Sequence, residues 1–396
     1  MTLFERWDAV MMPNYGTPPI ALDHGAGVRV WDVDGREYLD FVSGIAVSSL
    51  GHAHPAIVDA VSSQIRRLAH TSNLAIHEPG VRLAERLVEL LGVPARVFFA
   101  NSGAEANECA VKLARKHGRG LDPSGGRQEI VAAHNGFHGR TLGALAITGN
   151  PAKREPFEPL PGPVTFVDFG DVAALRRAVG PHTAAVFVEP TLGEGGVVPA
   201  PPGYLAAARQ VCDAAGALLV VDEVQSGIGR TGHWFASTAE GVRPDVITLA
   251  KGLGGGLPIG ACIGIGGAGT LFAAGDHGST FGGNPVSCAA AMAVLTTIAD
   301  EHLLDNVKRV GEHLADRLSA LDSDLVAGTR GSGLWRAVVL TAGRAADVEG
   351  AARRRGLLVN AVKTDVIRLA PPLIVSESDV DDAVSRLADA IAEVSG

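Results

Sequence analysis

The stretch "ITLAKGLGGGLPIGACIGIG", residues 247–266, sets two apolar runs on either side of a lysine and a glycine cluster. Short apolar runs bounded by turn residues read as buried strands. Lys251 stands where the first run stops. An ammonium there loses hydration on burial, and its pKa falls unless a partner compensates. Either the amine reaches back to solvent, or it is held at a strand end as a covalent anchor.

The same alternation extends outward. Upstream, "RVFFANSG" (96–103), "EIVAAH" (129–134), "PVTFVDF" (163–169), "TAAVFVEP" (183–190) and "ALLVVDEVQSG" (217–227) read as strands. Residues 104–118 and 203–216 carry helical spacing. Near-continuous apolar strands alternating with helices predict an α/β fold whose mostly parallel central sheet is covered on both faces. This large domain is expected over residues 46–285. Downstream, residues 285–321 read as one long helix, 333–340 and 366–375 as strands, and 345–356 and 376–395 as helices, the last opened by a Ser376/Asp379 capping box. With residues 1–45, where Asp34-Gly35 marks a hairpin turn, residues 286–396 are expected to form a smaller α+β domain.

The bulk numbers bound the class of protein. A chain of 396 residues with 46% hydrophobic and 19% charged residues can bury a large core. A formal net charge of −9 argues against nucleic-acid binding. No apolar stretch has the length of a membrane span, and the charged N-terminus does not read as a secretory signal. Cys109, Cys212, Cys262 and Cys288 are scattered without metal or disulfide spacing, which predicts a reduced, cytoplasmic protein.

Open α/β sheets bind ligands at the carboxyl ends of their strands. Asp222 ends "ALLVV", Lys251 ends "DVITLA", and Ser102-Gly103 ends "RVFFA". Pyridoxal 5'-phosphate uses all three kinds of group. Its aldehyde condenses with an amine, its ring nitrogen stays protonated beside a carboxylate, and its phosphate suits a helix start. Ser102, Gly103 and Ala104 open the helix that would receive the phosphate, so Glu105 and Glu108 are expected to point away. In "NGFHGRTLG" (135–143), Phe137 offers a stacking face and Arg140 a carboxylate clamp. In "HGSTFGGNP" (277–285), Ser279 and Thr280 offer hydroxyls beside a Gly-Gly turn.

Two other readings are weaker. "GIGGAG" (264–269) has the spacing of a dinucleotide-binding turn, as in a nicotinamide dehydrogenase, but too few residues follow before the next glycine for a crossover helix. "GHAHP" (51–55) and His134/His138 invite a metal, yet without convergent acids they read as local hydrogen bonding.

Eight segments in order carry a family resemblance: "FVSGIAVSSLGHAHP", "FFANSGAEANE", "FHGRTLG", "VEPTLGEGGV", "LLVVDEVQSGIGRTG", "DVITLAKGLGGGLPIGA", "HGSTFGGNP" and "VIRLAPPL". Together they resemble the class III aminotransferases, of the pyridoxal-phosphate-dependent transferase fold type I. The resemblance implies that Lys251 carries the cofactor and moves the substrate proton, and that Asp222 pairs the pyridinium nitrogen. It implies Phe137 and Val224 on the two ring faces and Gln225 near the ring hydroxyl. Gly103 and Ala104 would hold the phosphate with Ser102, Glu223 would belong to the cofactor site, and Thr280 would reach in from the other subunit of a homodimer. Arg140 and Ser279 would contact substrate. Arg368 would hold the α-carboxylate of 2-oxoglutarate, with Glu194 as its partner when the amine donor is bound. The implied reaction moves the terminal amine of N2-acetylornithine to 2-oxoglutarate, giving N-acetylglutamate 5-semialdehyde and glutamate, in arginine biosynthesis. Sister enzymes acting on ornithine, succinylornithine or 4-aminobutyrate share most of these motifs.

Overall fold

Seven strands form the central sheet of the computed structural model, which describes residues 1–396. In chain order they are β1 (Ala95–Ala100), β2 (Glu129–Ala133), β3 (Val164–Val167), β4 (Thr183–Val188), β5 (Leu218–Asp222), β6 (Val246–Leu249) and β7 (Gly260–Ile265). Their spatial order is β1-β7-β6-β5-β4-β2-β3. Every residue of β4, β5, β6 and β7 is buried, which is why these strands read as unbroken apolar runs.

The sheet is parallel except for β7, which runs antiparallel to both β6 and β1. The expectation of a mostly parallel sheet holds, and the reversed strand has a local cause. Only residues 250–259 join β6 to β7. That is shorter than a parallel crossover needs, so the chain must double back. Lys251–Gly254 form a 3-10 turn, and Gly255 and Gly256 complete the reversal at φ 57° and 120°. The same reversal disposes of the dinucleotide reading. "GIGGAG" ends an antiparallel strand and enters another 3-10 turn, Gly266–Thr270, so no βαβ unit exists there.

Helix α1 (Gly103–Leu121) follows β1 and lays Ala106, Cys109, Ala110, Leu113 and Ala114 against the sheet. The predicted helix over 285–321 is two helices, α2 (Pro285–Asp300) and α3 (Leu303–Ser319). His302 breaks them in the left-handed region at φ 53°. The cause lies in the apolar phase. Buried Ala291, Val294, Leu295 and Ile298 would continue on one stripe at 301, 302 and 305, but those positions are Glu, His and Asp. The apolar stripe resumes one position later, at Leu303, Val307, Val310 and Leu314, and a straight helix cannot bury both faces.

Two further predicted strands are shorter than expected. The one over 217–227 stops at Asp222, and the one over 366–375 stops at Leu369, just before Pro371 and Pro372. The last strands, Val326–Ser332, Trp335–Leu340, Asn360–Lys363 and Val366–Leu369, make an antiparallel sheet. The N-terminal hairpin, Arg29–Asp32 with Glu37–Asp40, turns at Asp34-Gly35 as expected and pairs in parallel with Leu357–Leu358. Helix α4 (Glu377–Ser395) carries the Ser376/Asp379 capping box. No helix is long and apolar enough to cross a membrane.

Candidate active site

The parallel register brings two of the sequence-predicted groups to one sheet edge. Asp222, the last residue of β5, pairs with Thr248 on β6, three residues before Lys251. Ala100 pairs with Gly260, so the end of β1 and the start of α1 reach the same edge. Beyond it lies a cavity of about 390 Å³ lined by Ser102, Gly103, Ala104, Phe137, Arg140, Asp222, Val224, Gln225 and Lys251.

Lys251 holds φ at 42°, a strained value for a residue with a side chain. Its amine faces the cavity but is enclosed by protein. Burial, with Arg368 next, pulls its pKa down to about 7, against the opposing pull of Glu194, Asp222 and Glu189. A neutral amine is what attack on a carbonyl requires.

Asp222 is 4% exposed and fully bonded. One carboxylate oxygen accepts from Asn107 Nδ2 at 2.7 Å and His138 Nδ1 at 2.8 Å, the other from the Val224 amide at 3.0 Å. Thr248 in turn donates to Asn107 Oδ1 at 2.9 Å, which fixes the amide so that its NH₂ faces Asp222. Burial alone would lower the His138 pKa, but the Asp222 bond and the charges of Asp222 and Glu189 hold it above its usual value. Glu189, buried nearby, accepts from the Phe137 amide at 2.9 Å. Burial and Asp222 push it up to about 7, although His138 pulls the other way. The carboxylate is therefore rigid and charge-supported where it meets the cavity.

The start of α1 supplies the third group. Ser102 caps the helix by accepting from the Glu105 amide at 3.2 Å, leaving the Gly103 and Ala104 amides to the cavity side. A Cβ on Gly103 would come within 2.8 Å of Val224, so the cradle requires glycine. Glu105 and Glu108 point away as expected. Glu105 accepts from the Asn101 amide at 2.8 Å, and Glu108 accepts from the Gly143 amide at 2.8 Å.

Arg368 is buried behind this cavity rather than in its wall. It donates to Glu194 at 2.8 Å, to Asn360 at 2.6 Å, and to Gln225 at 3.4 Å, and Gln225 does line the cavity. Burial would raise the Glu194 pKa, but Arg368 keeps it below the ordinary carboxylate range. Ser279 and Thr280 lie outside the cavity wall. Ser279 Oγ accepts from the Gly282 amide at 2.9 Å, and Thr280 is exposed. The Glu223 side chain turns the opposite way, bonding Ser226 at 2.7 Å and the Ser237 amide at 2.7 Å.

Sequence reasoning missed Asn107 and Glu189 and read His138 only as local hydrogen bonding. For Asn107 a signal existed: it stands four residues after Gly103, on the same helix face. Glu189 carried none, because its role depends on a loop folding back over it. His52 does bond locally, to Asp40 at 2.8 Å.

These groups fit pyridoxal phosphate on their own chemistry. An amine with a lowered pKa, a rigid carboxylate and a helix start with open amides converge on one cavity, and the Gly103 cradle keeps the helix start clear.

Comparison with known proteins agrees. The family model for aminotransferase class-III matches residues 10–391. The acetylornithine aminotransferase of Mycobacterium tuberculosis (strain ATCC 25618 / H37Rv) is 57% identical over 388 residues, covering 98% of this chain and 95% of that one. That of Streptomyces coelicolor is 58% identical over 386 residues, covering 97% and 94%. Among solved structures, the ornithine aminotransferase of Toxoplasma gondii ME49 superposes with a TM-score of 0.94 at 34% identity, covering 99% and 94% of the two chains. With a lysine and an aspartate flanking one cavity, the expected helix start beneath it, and relatives along nearly its whole length, the chain belongs to the class III aminotransferases.

Proposed function

We propose that this protein transfers the terminal amine of N2-acetylornithine to 2-oxoglutarate with pyridoxal 5'-phosphate as cofactor, a step of arginine biosynthesis. The observation that carries the reaction class is the placement of Lys251 and Asp222 on one cavity at adjoining strand ends. The choice of donor is supported by relatives at 57% and 58% identity named acetylornithine aminotransferase.

When bound, the cofactor supplies an aldehyde that takes up the substrate amine and a protonated ring that draws electrons from the substrate carbon. The chain's own residues do the rest. Lys251 would take the proton from the amine-bearing carbon and hold it until it is returned to the cofactor carbon, a task suited to an amine whose pKa is about 7. Asp222, pinned by Asn107 and His138, would keep a proton on the ring nitrogen. The Gly103 and Ala104 amides would hold the phosphate at the positive end of α1. Phe137 and Val224 would cover the ring, and Gln225 would meet the ring hydroxyl. We assign Arg368 to the α-carboxylate of 2-oxoglutarate. Its bond to Glu194 supports a partner exchange in which the acid neutralises the arginine while the monocarboxylate donor is bound. Thr280 is exposed and outside its own chain's cavity, which supports its serving a second copy in a homodimer.

The test is a panel of single half-reactions followed by cofactor absorbance, with acetylornithine, ornithine, succinylornithine and 4-aminobutyrate. Acetylornithine is expected to have the highest kcat/KM. A higher value for any other amine would reassign the donor.

A further inference from the structure

The surroundings of Phe137, on the cavity wall, carry more positive charge than the acids of this chain match. Arg368 is matched by Glu194, but Arg140 and Lys153 make no ion pair or hydrogen bond with any carboxylate of this chain. Both sit against one side chain of the cavity wall. The Lys153 ammonium lies 4.9 Å from the centre of the Phe137 ring, and the Arg140 guanidinium 5.6 Å from the same centre. Phe137 is itself fixed, because its amide donates to buried Glu189 at 2.9 Å. Lys153 comes from a separate element, the short helix Pro151–Arg154, whose next residue, Arg154, donates to the Thr148 carbonyl at 2.7 Å.

A half-buried ammonium that shares its surroundings with Arg140, Lys363 and Arg368 is costly to hold. Attraction to the ring offsets part of that cost. Glu194 is the acid among these cations, and it is committed to Arg368. An arrangement of this kind is completed by an anion arriving from solution.

We propose that Lys153 is a specificity-determining residue that, with Arg140 beside the same Phe137 ring, binds the carboxylate at the far end of the substrate from the reacting amine. The inference rests on the acetylornithine reading, in which one carboxylate lies remote from the terminal amine. Both cations approach the same ring of the cavity wall and neither has an acid of this chain, so one carboxylate arriving beside that ring would meet both. A ligand ending in a neutral group would leave both cations unmatched, and the site would reject it.

The experiment compares N-acetylornithine with its carboxamide, which keeps the amine and the acetamide but lacks the negative charge. It uses the wild-type holoenzyme and the variants Lys153→Met and Lys153→Arg. In the wild type the acid should be strongly preferred. In Lys153→Met the ratio of kcat/KM for acid over amide should fall about tenfold, a change of ~1.4 kcal/mol, and Lys153→Arg should restore most of it. Calorimetric binding of N-acetylnorvaline and its amide, which have no amine to react, should show the same loss of preference. An unchanged ratio in Lys153→Met overturns the proposal, because a lysine that merely supports Phe137 would affect acid and amide alike. A wild type that does not turn over acetylornithine would instead overturn the donor assignment, so the two failures are distinguishable.

Discussion

Lys251 shows how one side chain can be prepared for chemistry by its surroundings. A backbone at φ 42° places it, and burial together with Arg368 brings its pKa down to about 7. The sign of the consequence is determined. The folded-state value lies below the ordinary lysine value of 10.5, so the folded state sheds its proton first. Below about pH 7 the folded, cofactor-free protein bears the whole cost of a buried ammonium. That cost is relieved as pH rises from about 7 toward 10.5, so stability increases across this window. Denaturant titrations of the cofactor-free protein should show wild type gaining on Lys251→Met between pH 7 and pH 10. The rate of cofactor uptake should rise with pH through about 7, as the neutral amine appears.

At the scale of elements, the site depends on where β1 hands over to α1. Ser102 serves as the helix cap, and Gly103 leaves space beside Val224. Gly103→Ala would place a methyl 2.8 Å from Val224, at the point where the phosphate is assigned. The variant should fold and lose about tenfold in cofactor affinity, ~1.4 kcal/mol, measured by equilibrium dialysis against pyridoxal phosphate. Unchanged affinity would remove the phosphate from this helix start. The same reasoning explains Gly260, whose Cβ would meet the Ser102 carbonyl at 2.3 Å: β7 must pass this close for the helix start to sit at the sheet edge.

Across the whole molecule, the loop after β5 is tied to the C-terminal strands by Arg230. It is 2% exposed and donates to the carbonyls of Leu334 and Pro371, with no acid beside it. Burial brings its pKa down to about 10. Arg230→Met keeps the apolar stem but strands the two carbonyls, which should cost about 2–3 kcal/mol. A drop in Tm of several degrees is expected by calorimetry. Because the tie joins the loop near Asp222 to the strand region near Arg368, KM for 2-oxoglutarate should rise as well.

The inner strands and the three groups at the sheet edge were legible because burial on both faces leaves unbroken apolar runs, which strand-end chemistry interrupts; the half-exposed β1 and β3 were legible as short apolar runs between turn residues. The eight family segments located the remaining candidates, Arg368 and Glu194 among them. The reversed β7 was written in a glycine connection too short for a parallel crossover, and the α2–α3 break in a one-residue slip of the apolar stripe; connection length was not weighed in the first case, nor phase in the second. The sequence alone determined which residue types stood where strands end, since that follows from local periodicity. Tertiary structure alone decided that Asn107 and His138 brace Asp222, that Glu189 lies beneath Phe137, and that Lys153 and Arg140 share one ring. Each of those contacts joins separate elements, and the distance between them depends on packing that no local pattern encodes.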